Sequence, residues 1–224
     1  MKREVIKTSD GSTTIYLEQW EEHYHSKHGA IQEAYHVFIK SGLAQWLNQN
    51  DSNSIRILEI GFGTGLNAFI SFLECQKMGL HINYHGVEAY PVNPQEVALL
   101  NYVEQLDAGN YKETFIRMHQ GDWDTDLDID PLFTLRKRKQ FFGSIDDQRA
   151  FDLIYFDAFG ARVQPELWDV SMFERMYKAL DKNGILVTYA AKGSVRRAMQ
   201  EVGFLIEKLP GPPGKREMLR AVKK

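Results

Sequence analysis

The chain has 224 residues, of which 43% are apolar, 25% charged and 12% aromatic, an ordinary globular composition that excludes a disordered, collagen-like or mainly coiled-coil protein. A net charge of −3 excludes a uniformly basic, nucleic-acid-coating protein, and a single cysteine, Cys75, excludes both an intrachain disulfide and a cysteine-based metal cluster. No apolar run reaches the roughly 18 residues of a transmembrane helix. Met1-Lys2-Arg3-Glu4 leads into polar residues rather than a signal-peptide core, so a cytoplasmic location with no membrane partner is expected.

Residues 1–54 lack a clean period-2 strand core. A helix is expected from Ala34 to about Leu47, and Asp51 to Ser54 breaks the pattern. Ile55–Ile60 reads as a buried parallel strand, Leu66 to about Met78 as a helix stopped by Gly79, and Ile82–Ala89 as a second strand. Pro94 opens a helix over Gln95–Glu104, and Phe115–Met118 is expected as a short third strand. Residues 124–150 are the least regular part and read as an inserted loop, with Arg136–Lys139 as a solvated basic face. Phe151–Phe156 is a fourth strand, Pro165–Leu180 a helix, Ile185–Ala190 a fifth strand and Val195–Val202 a helix ended by Gly203. Phe204–Leu209 and Glu217–Val222 are joined by a Pro- and Gly-rich turn with no helix between them, the signal of an antiparallel hairpin. Strand–helix alternation gives an α/β, Rossmann-like doubly wound sheet. A terminal antiparallel hairpin on such a sheet is the arrangement of class I methyltransferases. The expected organisation is an N-terminal segment, 1–54, that covers the acceptor side of a methyltransferase domain, 55–224, within one compact unit.

The chemistry concentrates at strand ends, where ligands bind in such sheets. Glu59-Ile60-Gly61-Phe62-Gly63-Thr64-Gly65-Leu66-Asn67 joins the first parallel strand to its helix. A dinucleotide fingerprint would need glycine at 66, which is leucine here. The G-x-G-x-G spacing behind Glu59 suits S-adenosylmethionine, which carries no phosphate. Glu88 ends the second strand, where a carboxylate can accept both ribose hydroxyls. Asp122 and Trp123, after the expected third strand, are placed for the adenine amino group and ring. Asp157, at the end of the fourth strand and beside Phe159, can orient an amine and accept its proton. The last eighteen residues carry six basic groups against two acidic ones, a local patch suited to nucleic acid.

Several segments together resemble the methyltransferase domain of MnmC, the tRNA 5-methylaminomethyl-2-thiouridine methyltransferase family. They are Ile57–Asn67, Phe151–Phe159, Pro165-Glu166-Leu167-Trp168, Gly214-Lys215-Arg216-Glu217-Met218, and the N-terminal Tyr24-His25-Ser26 with Gly29, Glu33-Ala34 and Val37-Phe38. The similarity runs over roughly residues 14–222 and is closest to the stand-alone, MnmD-like form. It implies S-adenosylmethionine-dependent N-methylation of a 5-aminomethyl uridine at the wobble position of tRNA. It implies contact with the anticodon region, no metal, and a separate FAD-dependent oxidase or other upstream modification enzymes in the pathway. Residue by residue it implies Asp157 in catalysis. Glu59, Gly61, Phe62, Gly63, Thr64, Gly65, Asn67, Glu88, Asp122 and Trp123 would face the donor, and Tyr24, Ser26, Phe159, Lys215 and Arg216 the substrate. Gly160-Ala161-Arg162 departs from the family, which places a small residue and a proline there. A small-amine methyltransferase, or a non-catalytic S-adenosylmethionine-binding module, would share the fold.

Overall fold

The computed structural model describes residues 2–224, and its first elements are ones that the apolar pattern hides. β1 (Arg3–Lys7), β2 (Thr13–Leu17) and β3 (Glu22–His23) form a separate three-stranded antiparallel sheet. Ser12, Thr13 and Thr14 are buried there beside Ile15 and Leu17, so much of the inward surface is hydroxyl and no apolar alternation shows. Those hydroxyls are paired: Thr13 Oγ1 donates to Asn101 Oδ1 and Thr14 Oγ1 accepts from the His25 amide.

α1 (Ala30–Ala34) runs through a π-helical stretch (Tyr35–Leu43) into α2 (Ala44–Gln49), so the helix begins at Ala30 rather than Ala34. Ala34, Val37, Phe38, Leu43 and Trp46 pack into the main core with Phe69 and Tyr155. Residues 30–49 are therefore a layer of the main fold, and only the segment before them stands over the sheet.

β4 (Ser54–Ile60), α3 (Leu66–Met78) and β5 (His81–Val87) follow the sequence expectation closely. The next stretch does not. In place of one helix over 95–104 there are two single turns, α4 (Pro94–Val97), with a capping box made by Asn93 and Glu96, and α5 (Tyr102–Gln105). The expected strand Phe115–Met118 lies inside α6 (Lys112–Gln120), where Phe115 and Met118 share the buried face. A four-residue apolar run fits either element, and burial at i and i+3 selects the helix.

The third parallel strand lies instead in the stretch read as an inserted loop. β6 (Asp126–Asp130) pairs antiparallel with β7 (Phe133–Arg138), and β7 pairs parallel with β5. Phe133, Leu135 and Lys137 point inward and alternate with half-exposed Thr134, Arg136 and Arg138. A lysine on the inward face disguised the strand. It is tolerated there because Lys137 Nζ donates to the His119 carbonyl at 2.7 Å and lies 5.0 Å from the Trp123 ring centre. Burial lowers its pKa to about 8. Arg136 and Arg138 pair with Asp126 and Asp147, so the basic run is a strand and not a solvated loop face.

β8 (Phe151–Phe156), a 3-10 turn (Pro165–Trp168), α7 (Val170–Ala179), β9 (Leu180–Thr188), α8 (Gly193–Glu201), β10 (Leu205–Pro210) and β11 (Glu217–Val222) complete the chain. The last two strands are the expected antiparallel hairpin. The large sheet runs β10-β11-β9-β8-β4-β5-β7-β6, with β9, β8, β4, β5 and β7 parallel. Strand order reverses between β4 and β8, the position at which such sheets open a crevice at their carboxyl ends. No helix among the described residues is long and apolar enough to cross a membrane.

One contact fixes how the β4–α3 turn lies on the sheet. A Cβ on Gly86 in β5 would stand 2.3 Å from Phe62 Cδ2. Gly86→Ala is expected to destabilise the fold by about 1–3 kcal/mol, the usual scale of overpacking. Urea unfolding would show it as a lower midpoint, and an unchanged midpoint would mean that Phe62 moves aside freely.

Candidate active site

The ends of β4, β5 and β8 are tied to one another by backbone. The amides of Gly61 and Phe62 both donate to the Val87 carbonyl at 3.0 Å, and the Asp157 amide donates to the Ile60 carbonyl at 2.9 Å. The Gly63 amide donates to Glu88 Oε2 at 3.1 Å, and the Tyr90 amide to Glu88 Oε1 at 2.9 Å. Burial raises the proton affinity of Glu88, and those amides oppose the rise. Beneath the turn, Asn67 Nδ2 donates to Glu59 Oε1 and to Asp157 Oδ2, both at 2.9 Å. Glu59 is fully buried, which favours its neutral form. Asp157 is pushed up to about 7, chiefly by burial and secondly by the Glu33 carboxylate, against the Asn67 hydrogen bond and the Lys215 charge. A carboxyl with that affinity can gain or lose a proton near neutrality.

Over this floor opens a cleft of about 1510 Å³. One wall is the segment after β3. The Tyr24 ring meets Phe159 edge-on at 5.0 Å, as does Trp20 at 5.4 Å. Arg162 donates to Glu22 Oε1 and to the Trp20 carbonyl, so the atypical Gly160-Ala161-Arg162 loop is tied to the N-terminal segment by its arginine. His25 stands with its ring nitrogens 3.2 and 3.4 Å from the hydroxyls of Thr14 and Thr64, and burial lowers its pKa to about 4. It is a neutral structural group rather than a base near pH 7.

Of the residues singled out in the sequence, Gly61, Gly63, Glu88, Asp157, Phe159, Tyr24, Ser26 and Lys215 come together around the cleft. Glu59, Thr64 and Asn67 are buried below it and bonded to protein groups, Thr64 Oγ1 accepting from the Tyr102 hydroxyl at 3.0 Å. Gly65 lies against His119, and Phe62 and Trp123 line a separate cavity of about 450 Å³. Asp122 is exposed and follows α6, so the strand-end argument for it does not hold. Arg216 is exposed on the hairpin. Three of the hairpin's six basic groups are paired with carboxylates: Lys208 with Glu217, Arg220 with Glu207 and Lys215 with Glu33. Glu33, which enters the sequence reading only as part of the resemblance and with no role, and Tyr189, which does not enter it, also line the cleft. A signal for Glu33 existed, since Ala30, Glu33, Ala34 and Val37 form an inward helical face carrying one carboxylate.

Residues 132–224 match a family described as S-adenosyl-L-methionine-dependent methyltransferase. The chain is 31% identical over 230 residues to the tRNA 5-methylaminomethyl-2-thiouridine biosynthesis bifunctional protein MnmC of Leptospira interrogans, a match covering 95% of this chain and 34% of that protein. The chain thus spans about a third of the length of the curated relatives it matches. Among solved structures it resembles MNMC2 from Aquifex aeolicus, with TM-score 0.80, 22% identity and coverage of 100% of this chain and 70% of that one. It also resembles spermidine synthase from Thermotoga maritima, with TM-score 0.59, 12% identity and coverage of 99% and 68%. At those identities the two structures speak to the fold alone, a Rossmann-like doubly wound sheet.

Proposed function

We propose that the chain is a methyltransferase domain of the MnmC type, a reading supported by the matches above, and that it N-methylates the 5-aminomethyl group of a tRNA wobble uridine, with S-adenosyl-L-methionine as donor. The observation that carries this is Asp157, a buried carboxyl with a pKa near 7 beside the glycine turn. The cleft's volume of about 1510 Å³ exceeds the usual range for one small ligand and suits a donor with a nucleotide. The substrate class comes from the names of the relatives.

The residues present fit the donor. Glu88 is a buried carboxylate at the end of β5 with lone pairs to spare for ribose hydroxyls, and the backbone of Gly61 and Gly63 borders the cleft. Glu59, Thr64 and Asn67 serve the donor through the shape of the turn. The adenine side falls to the residues after the true third parallel strand. There Gln140 Nε2 is buried without a protein partner and Phe141 is 63% exposed on the cleft wall. When bound, the donor supplies an electrophilic methyl group. Asp157 orients the incoming ammonium group, takes its proton and frees the lone pair, while Tyr24 and Phe159 shield the acceptor from water. An aminomethyl uridine must be made before it is methylated, so upstream modification enzymes, among them a separate FAD-dependent oxidase, are pathway partners in this reading. A tRNA substrate places the reaction in the cytoplasm.

Glu88→Ala removes the acceptor of two amides and, in this reading, of the ribose. Donor affinity is expected to fall at least tenfold, since a hydrogen bond to a charged group contributes about 1.5–3 kcal/mol. Calorimetry with S-adenosylmethionine and its demethylated product should show equal losses, and unchanged affinity would remove Glu88 from the donor site. For the activity itself, labelled methyl transfer would be measured onto tRNA from cells lacking the modification and onto spermidine. Labelled tRNA supports the proposal, and labelled spermidine alone would replace it with a small-amine activity.

A further inference from the structure

The acceptor-side wall of the cleft holds a charged pair that the reading above does not use. Glu33, on α1, is 6% exposed and bonded in two directions. Its Oε2 accepts from the Ser26 amide at 2.8 Å, and its Oε1 accepts from the Lys215 ammonium. Lys215 comes from the turn between β10 and β11, at the other end of the chain. Its Nζ lies 3.9 Å from the centre of the Tyr189 ring, and the Tyr189 hydroxyl donates to the carbonyl of Ala158, the neighbour of Asp157. The same turn is anchored to the helix beside Glu33, where a His36 ring nitrogen lies 2.8 Å from the Pro210 carbonyl. A carboxylate from the N-terminal helix and an ammonium from the C-terminal hairpin thus meet over the end of β8.

Stability alone is a weak reason for such a pair, because burying two charges largely cancels their attraction. The placement suits a different task. Asp157 is faced by Glu59 from β4 and Asn67 from α3, by Glu33 from α1, by Tyr189 after β9 and by Lys215 from the hairpin. Burial favours the neutral forms of Glu59 and Tyr189, and Glu88 is turned toward the amides of Gly63 and Tyr90. Glu33 and Lys215 are the two charges left to act on Asp157, and they act in opposite directions.

We propose that Glu33 and Lys215 are positioning residues for the methyl transfer, a balanced pair that leaves the Asp157 carboxylate at the end of β8 free to receive the substrate's ammonium group. The proposal rests on the reading of Asp157 given above. Without Lys215, Glu33 becomes a second anion that competes for the incoming amine and makes Asp157 hold its proton more tightly. Without Glu33, the Lys215 ammonium is released to occupy Asp157 itself.

The test uses Lys215→Met, Lys215→Arg, Glu33→Gln and the double variant Glu33→Gln/Lys215→Met. The Asp157 carboxyl is titrated by carbon-13 NMR in donor-free protein, its signal identified by its loss in Asp157→Asn. Lys215→Met should raise the midpoint and Glu33→Gln should lower it, each by roughly half a unit or more. The double variant and Lys215→Arg should return toward wild type. Single-turnover rates against pH with saturating donor should move their acid limb in the same order. A pair that only holds the fold would lower thermal stability without these opposed shifts. Midpoints that stay fixed, or move together in both single variants, overturn the proposal. Opposed NMR midpoints with an unmoved acid limb would overturn the positioning role. Wild type that methylates no tRNA would remove the substrate reading instead, and the titration would still decide whether the pair controls Asp157.

Discussion

Asp157→Asn is expected to bind S-adenosylmethionine almost normally and to transfer its methyl group roughly 10²-fold or more slowly, the usual scale of a general-base contribution. Asparagine keeps the size of the side chain and an oxygen that can accept from Asn67 Nδ2, so the floor of the cleft survives. What it loses is the charge that draws in an ammonium group and the site that takes its proton. In the wild type the rate should fall as pH drops through about 7, where Asp157 becomes protonated. The variant should lack that limb and recover part of its rate at alkaline pH, where free amine is more abundant. A stability measurement separates this from misfolding. The folded carboxyl binds its proton more tightly than the unfolded one, with a pKa of about 7 against 3.8, so wild-type stability declines as pH rises through that window and stays lower above it. The neutral amide of the Asp157→Asn variant carries no such penalty. Thermal midpoints of the variant relative to wild type should therefore rise between about pH 4 and about pH 7. A variant as fast as wild type near neutrality would take Asp157 out of the mechanism.

Gly63→Val is expected to abolish measurable donor binding, a loss of at least about 10²-fold or about 2.7 kcal/mol. Gly63 has φ 49°, a left-handed conformation that a β-branched residue resists. A Cβ there would also stand 3.0 Å from Tyr24 Cδ1, on the side that faces the cleft. The Gly63 amide would turn away from Glu88 as the backbone relaxes. Calorimetry reads the loss directly, and circular dichroism should report an intact fold, since the turn lies outside the core strands. Wild-type affinity in the folded variant would move the donor site elsewhere.

What could be read from the sequence was set by how plainly each strand announces itself. β4 and β8 are apolar runs that end in Gly61 and Asp157, and β5 ends before Glu88, so the residue pattern alone places those three positions beside one another. β7 carries Lys137 on its inward face, which breaks the apolar alternation, while Phe115–Met118 supplies a short apolar run that belongs to a helix. That one substitution of elements put Asp122 at an expected strand end, whereas the residues that follow the third parallel strand are Lys139, Gln140 and Phe141. The N-terminal sheet was hidden by threonines whose burial depends on Asn101 and His25, partners far along the chain or across a turn. Lys215 reads as a surface charge because its nearest acidic neighbour in sequence is Glu217. Its observed partner, Glu33, lies 182 residues away, and only the docking of the hairpin on α1 brings them together. Local patterns carry the strand ends, whereas the pairing of distant charged side chains is a property of the closed fold.

In the proposed reaction the methyl group goes to the aminomethyl nitrogen of a wobble uridine. Mass analysis of nucleosides tests it most directly. Purified protein and deuterium-labelled S-adenosylmethionine would be incubated with tRNA from cells lacking the modification, and the tRNA digested. The expected product carries one labelled methyl group on the side-chain nitrogen of the 5-aminomethyl uridine, and Asp157→Asn at equal enzyme, within the linear phase at neutral pH, should leave roughly a hundredth of that label or less. Label on a base ring or a ribose, or unlabelled tRNA in the presence of wild-type protein that binds the donor, would contradict it.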